Sequence, residues 1–188
     1  MIMMMGITGY GFTGCRGACV VFAVATAAVL GILSEATIGG FRVNTTPSEP
    51  LGIWRIAEIN RPIMVGDLVF ICPPDTATTR WARERGYLRH GLCEGHVAPL
   101  IKTVIATAGQ SVEIADGVRV NGIPIANSTI AKTDGKGRPL APYSGGLVPP
   151  DTVFVHSSFV ASYDSRYFGP LPMSGILGRA QEVLTYAP

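Results

Sequence analysis

The stretch "PLIKTVIATAGQSVEIADGVRVNGIPI", residues 99–125, decides the fold class. Its first part, Pro99–Gly109, is rich in β-branched residues and stops at a glycine. Branched side chains suit a pleated, half-buried surface and lose rotamer freedom in a helix, so a strand is predicted here. The second part breaks at Asp116-Gly117 and again at Asn121-Gly122. Both dipeptides tolerate the positive φ of two-residue hairpin turns, which predicts strands on either side of the first and a tight turn at the second. Working outward, "DLVFIC" (67–72) follows the turn residues Val65-Gly66, and "DTVFVHS" (151–157) follows Pro149-Pro150. Each reads as a strand. The polar "KTDGKGRPLAPYSGG" (132–146) reads as a loop, and the tail "GILGRAQEVL" (175–184) as a final strand or a short helix. Short strands with little helical periodicity predict a mostly β, antiparallel domain that curls or closes.

The start of the chain is different. Gly17–Ser34, "GACVVFAVATAAVLGILS", holds no charged residue over 18 positions. About 18–20 apolar residues are the length that spans a bilayer as a helix. We expect a short segment at 1–16, a transmembrane helix or signal anchor at 17–36, and a domain at 40–188. A removable secretory signal is the alternative, since Ser34-Glu35-Ala36 loosely fits a small-x-small cleavage site. Either way the remainder is exported or membrane-attached. Charged residues are 15% of the chain, against about 25% in soluble domains. The net charge of +2 is too small to indicate a nucleic-acid partner.

Four cysteines form two pairs in sequence. Cys15 and Cys19 sit at the start of the apolar run, where membrane-edge packing or lipid attachment would use them. Cys72 and Cys93 have no metal-type spacing, and His90, His96 and His156 are scattered, so no metal site is expected. In an oxidising compartment the two cysteines would form a disulfide stapling a basic excursion at about 72–93. Within it Trp81, Arg85 and Leu88 have helical spacing, and its arginines read as a solvated face.

Three stretches carry candidate chemistry. In "NTTPSEPLGIW" (44–54), Ser48 lies near prolines on both sides, as a stiffened loop residue or a nucleophile held in one orientation. A serine nucleophile needs a base, and no histidine stands in a recognisable arrangement with an acid. Only three lysines occur: Lys132 and Lys136 in the polar loop, and Lys102 in "LIKTVI", on a strand face with Leu100 and Val104. A lysine can accept a proton only when neutral, and burial among apolar groups favours that form. Lys102 is therefore a buried base or an edge-strand lysine in solvent, and elimination favours the base. The third stretch, "SYDSRYFG" (162–169), sets Asp164 two residues from Arg166. Taken alone it reads as a surface turn with a weak local ion pair.

Together these stretches resemble the serine–lysine signal peptidases, and most the TraF-type conjugative transfer peptidases among them. Ser48-Glu49-Pro50-Leu51-Gly52 has the S-x-P-x-G form of that branch. "IKTVIATAGQSV" resembles the lysine box, with Thr103, Ala108 and Gln110 where arginine, proline and aspartate are usual. "YDSRYFGPLP" followed by "GILGRA" is similar to the C-terminal box, preceded by "HSSFV" instead of G-D-N-R-D. The resemblance covers about residues 40–180. It implies a signal-peptidase-like antiparallel β domain behind one N-terminal transmembrane helix, with Ser48 as nucleophile and Lys102 as general base. It further implies that Ser162 hydrogen-bonds the lysine, that Thr46 supports an oxyanion hole with the Ser48 N–H, and that Asp164, paired with Arg166, is a supporting acid. The expected enzyme is a single-pass protein of a bacterial inner membrane with a periplasmic catalytic domain and no cofactor. Its expected substrate is a membrane-bound pro-pilin or other preprotein of a conjugative, type IV secretion apparatus, with pilin cyclisation as one outcome. The alternatives are a general leader peptidase and a non-catalytic, membrane-anchored assembly component.

Overall fold

The computed structural model describes residues 13–187 and divides the chain into two compact units, the second beginning at Phe41. Most of the expected 1–16 segment lies outside the described residues. Helix α1 (Thr13–Ile38) carries the whole uncharged run, and its described side chains, Phe22 and Leu30 among them, are exposed. Among the described residues no helix is long and apolar enough to cross a membrane. The span therefore rests on the sequence alone.

The second unit is built on antiparallel strands. β1 (Phe41–Asn44), β2 (Leu51–Ala57), β3 (Leu68–Ile71), β4 (Leu100–Thr107), β9 (Thr152–His156), β10 (Leu171–Pro172) and β11 (Ile176–Tyr186) form one sheet, in the order β1-β2-β11-β3-β4-β9-β10. A second sheet has the order β7-β6-β5-β8, from β5 (Ser111–Ile114), β6 (Val118–Val120), β7 (Ile123–Pro124) and β8 (Gly146–Leu147). The turn between β6 and β7 places Asn121 at φ 50° and Gly122 at φ 79°, the left-handed values that dipeptide was expected to supply. The tail is a strand. β11 pairs with β2 on one side and β3 on the other, so two hydrogen-bonded ladders outweigh the helix-compatible composition of Arg179–Leu184. Register shifts in β4 and β11 add the local twist that bulges produce and help the large sheet curl.

Both faces of the central strands are covered. On one face Val69, Ile71, Val104, Val153 and Val155 pack together, with Leu100 against them. On the other lie Trp54, Phe70 and Ile101. Fully burying each such side chain stabilises by about 1.5–3 kcal/mol, so the middle strands carry much of the packing energy of the sheet. Lys102 stands on β4 between Leu100 and Val104, in register with Val69.

Between Cys72 and Cys93, which are disulfide-linked, the chain makes helix α2 (Ala77–Glu84), started by a capping box between Thr76 and Thr79. Ala82, Leu88, Cys93 and Val97 form a small core beneath it. The excursion's arginines are less free than a solvated face implies. Arg80 pairs with Asp75 at 2.9 Å, Arg83 donates to the Gly95 carbonyl, and Arg85 lies 4.2 Å over the Trp81 ring.

Candidate active site

Ser48 sits in the loop between β1 and β2, and the side chain of Asn44 organises that loop. Asn44 Nδ2 donates to the carbonyls of Thr46 (3.0 Å), Glu49 (2.9 Å) and Pro50 (3.0 Å), while Oδ1 accepts from the Thr46 N–H and Oγ1–H. Three carbonyls on one side of the amide and two donors on the other fix which end is oxygen. The loop closes onto the core through Trp54 Nε1, which donates to the Pro50 carbonyl at 2.9 Å. The glycine of S-x-P-x-G also has a tertiary reason. Gly52 has φ +128°, and a Cβ there would collide with the Leu184 carbonyl on the neighbouring strand.

Ser48 and Lys102 line one groove of about 940 Å³, together with Thr46, Ser162, Tyr163 and both disulfide cysteines. Thr46 Oγ1 lies 3.5 Å from Ser48 Oγ. Lys102 is 3% exposed. Burial lowers its pKa from 10.5 to about 8, opposed by the charges of Asp164 and Glu49 and assisted by Arg166. The solvated edge-strand alternative is thereby removed, because β3 and β9 flank β4 on both sides. Lys132 and Lys136 are exposed, as their loop implied. Glu49, next to Ser48, is pushed up to about 7 by burial, with the Lys102 charge acting the other way. A serine hydroxyl and a lysine readily made neutral, in one partly dry groove, can together perform nucleophilic attack on a carbonyl.

Two expected details differ. Ser162 Oγ is buried and has no hydrogen-bond partner among the described residues, so the bond to Lys102 implied by the resemblance is not formed here. Thr46 lies beside Ser48 as expected, but its hydroxyl proton is directed to Asn44 Oδ1 at 2.8 Å and must rotate before it can reach an oxyanion.

Asp164 and Arg166 do not line the groove. Instead of a surface turn they make a fully buried ion pair at 2.8 Å, both side chains 0% exposed. Asp164 caps the short helix α3 (Ser165–Phe168) and accepts from Arg166 N, Nε and a terminal guanidinium nitrogen, and from the Ser157 N–H. Arg166 in turn donates to the carbonyls of Ser162 (3.0 Å) and Thr129 (2.9 Å). A buried charge pair is tolerated only when its remaining donors and acceptors are also satisfied, as these are. Tyr163, between Ser162 and Asp164, packs at a tilt against Tyr87 of the disulfide excursion (4.8 Å) and stacks on Tyr167 (5.3 Å), joining the excursion to the groove wall. His156 is buried away from the groove, and burial holds its pKa below the usual value. No cluster of three or more possible metal-ligating side chains occurs among the described residues.

Asn44, Glu49 and Ser157 were not singled out from the sequence. Asn44 carried a signal, since an asparagine two residues before a loop threonine often accepts from that residue's N–H. Ser157 carried none, because its partner is 109 residues away.

Residues 16–185 match the family described as "Signal peptidase, peptidase S26", and the chain belongs to that family. This agrees with the antiparallel β architecture and with the three boxes around the groove. Among individual relatives, the chain is 63% identical over 166 residues to "Probable conjugal transfer protein TraF" of Sinorhizobium fredii, covering 88% of each chain. It is 57% identical over 161 residues to "Conjugal transfer protein TraF" of Agrobacterium fabrum, covering 84% of this chain and 92% of that one. With a "Plasmid transfer protein TraF" of Escherichia coli it shares 37% over 168 residues, covering 87% and 94%.

Proposed function

We propose that the protein is a membrane-anchored serine endopeptidase that cleaves a pro-pilin or similar exported membrane substrate of a conjugative transfer system. The observation that carries this reading is the placement of Ser48 and the buried, pKa-lowered Lys102 in one groove. The peptidase family and the conjugal-transfer names of the relatives support the reaction class and its setting. The uncharged run on α1 supports an inner-membrane anchor, with the domain from about residue 40 onward on the periplasmic side, where Cys72 and Cys93 would be oxidised.

In the proposed reaction neutral Lys102 takes the Ser48 hydroxyl proton as Oγ attacks the scissile carbonyl carbon. The oxyanion is held by the Ser48 N–H and the rotated Thr46 hydroxyl; one preorganised donor of this kind is worth about 3–4 kcal/mol. The Lys102 ammonium then protonates the leaving amine, and an ester remains on Ser48. Water, or the substrate's own amino group in a cyclising reaction, gives its proton to Lys102 and releases the product. Ser162 turns toward Lys102 and orients it. With a pKa of about 8, about a tenth of Lys102 is neutral at pH 7, so turnover should rise with pH through that value.

The test is mass spectrometry of the candidate pilin from cells carrying the wild type or Ser48→Ala. Only precursor should accumulate with the variant, although the variant itself still reaches the membrane. A mature pilin in the Ser48→Ala strain would exclude the enzyme reading and favour an assembly component.

A further inference from the structure

Ser157 is 1% exposed and has no part in the chemistry above. Its N–H donates to Asp164 Oδ2 at 3.1 Å, and its Oγ accepts from the Phe159 N–H at 3.2 Å. Its hydroxyl also contacts the carbonyl oxygen of Ser48 at short range. A carbonyl has no proton to give, so the single hydroxyl proton of Ser157 goes to Ser48.

Ser157 follows directly on β9, whose last pair with β4 sets His156 opposite Thr103. Extending that antiparallel register by one residue sets Ser157 level with Lys102. The same strand pair therefore carries both the proposed base and the group that grips the proposed nucleophile's backbone. From the other side, Asn44 holds Thr46 and Glu49, the residues around Ser48. Asp164 touches neither Ser48 nor Lys102 by any described hydrogen bond, and its charge favours protonated Lys102, the form that cannot act as a base. The same charge also steadies the ammonium that forms when Lys102 takes a proton, so charge alone does not define the role of Asp164, whereas its bond to the Ser157 N–H is a geometric tie.

We propose that Ser157 is a positioning residue, tying the buried Asp164–Arg166 pair to the Ser48 carbonyl and thereby fixing the nucleophile against Lys102. The proposal rests on the reading of Ser48 as nucleophile. Its proton is already committed, so Ser157 takes no proton from substrate.

The experiment uses the full-length protein in detergent micelles with N-acetyl-alanine p-nitrophenyl ester as probe. Losing one hydrogen bond that aligns the nucleophile should lower kcat about tenfold in Ser157→Ala. KM should stay within about twofold and the midpoint of the pH–rate profile should not move, because ground-state binding and Lys102 are untouched. Ser157→Thr should restore kcat, and Ser157→Cys, a poorer donor, should fall between. Unchanged kcat in Ser157→Ala, a loss confined to KM, or a displaced pH midpoint would overturn the proposal. Should Ser157→Ala not fold, Ser157→Cys decides by the same three readouts. Ser48→Ala separates the two levels: its full loss of turnover with normal Ser157→Ala kcat sinks the clamp alone. Retained turnover in Ser48→Ala sinks the nucleophile reading and the clamp with it.

Discussion

Replacing Lys102 with methionine should stabilise the folded protein at neutral pH while removing its activity. Methionine keeps much of the lysine stem and drops the charge. In the fold, burial holds Lys102 near pKa 8, against 10.5 for the free side chain. Each unit is worth about 1.4 kcal/mol, so protonated Lys102 destabilises the fold by about 3 kcal/mol at pH 7. The unfolded chain holds this proton more tightly than the folded one. Wild-type stability should therefore rise as pH goes from about 8 to about 10.5, and the cost should be gone above the unfolded value. Lys102→Met lacks the group and should lack the rise. Urea unfolding of both full-length proteins in micelles, followed by fluorescence of buried Trp54, gives the difference at each pH. Packing of the new methionine is independent of pH and cancels when the two ends of the window are compared. The variant's advantage should shrink by about 3 kcal/mol from pH 7 to 10.5. An advantage constant with pH would show that Lys102 titrates like a solvated lysine, and the argument for a poised base would fail. Lys102→Arg tests the same point from the other side: arginine cannot lose its proton, so the variant should be inactive at every pH.

Asp164→Asn removes one partner of the fully buried pair and leaves the Arg166 charge uncompensated; urea unfolding should show a loss of about 3–5 kcal/mol. Opening the Cys72–Cys93 bridge by changing both to alanine frees a segment with a separation of 21 residues. Thermal unfolding should report about 3 kcal/mol less stability, and an unchanged melting temperature would mean the excursion is held by its small core alone. Glu49→Gln removes a negative charge that raises the Lys102 pKa, so the rising limb of the pH–rate profile should move to lower pH; a move to higher pH would refute the coupling.

The class of fold was legible from β-branched runs, hairpin dipeptides and proline-led strands, because each signal lies within a few neighbouring residues. Asn121-Gly122 takes the left-handed values expected of it, whereas Asp116-Gly117 does not. The uncharged run and the three boxes were equally legible, since each depends on residues close together in the chain. Tertiary structure decided the environments. The tail became β11 because two neighbours offered ladders to it, which no local propensity could announce. Lys102 could have faced water; flanking by β3 and β9 made it a buried lysine with a lowered pKa. Asp164 and Arg166 read as a surface turn, yet the loop carbonyls of Ser162 and Thr129 fold over the arginine and exclude solvent. The contact from Ser157 to Ser48 joins residues 109 apart, and only the closing of the sheet brings them together. Local pattern encodes what a segment can be, while burial and charge at the site arise from neighbours distant in sequence.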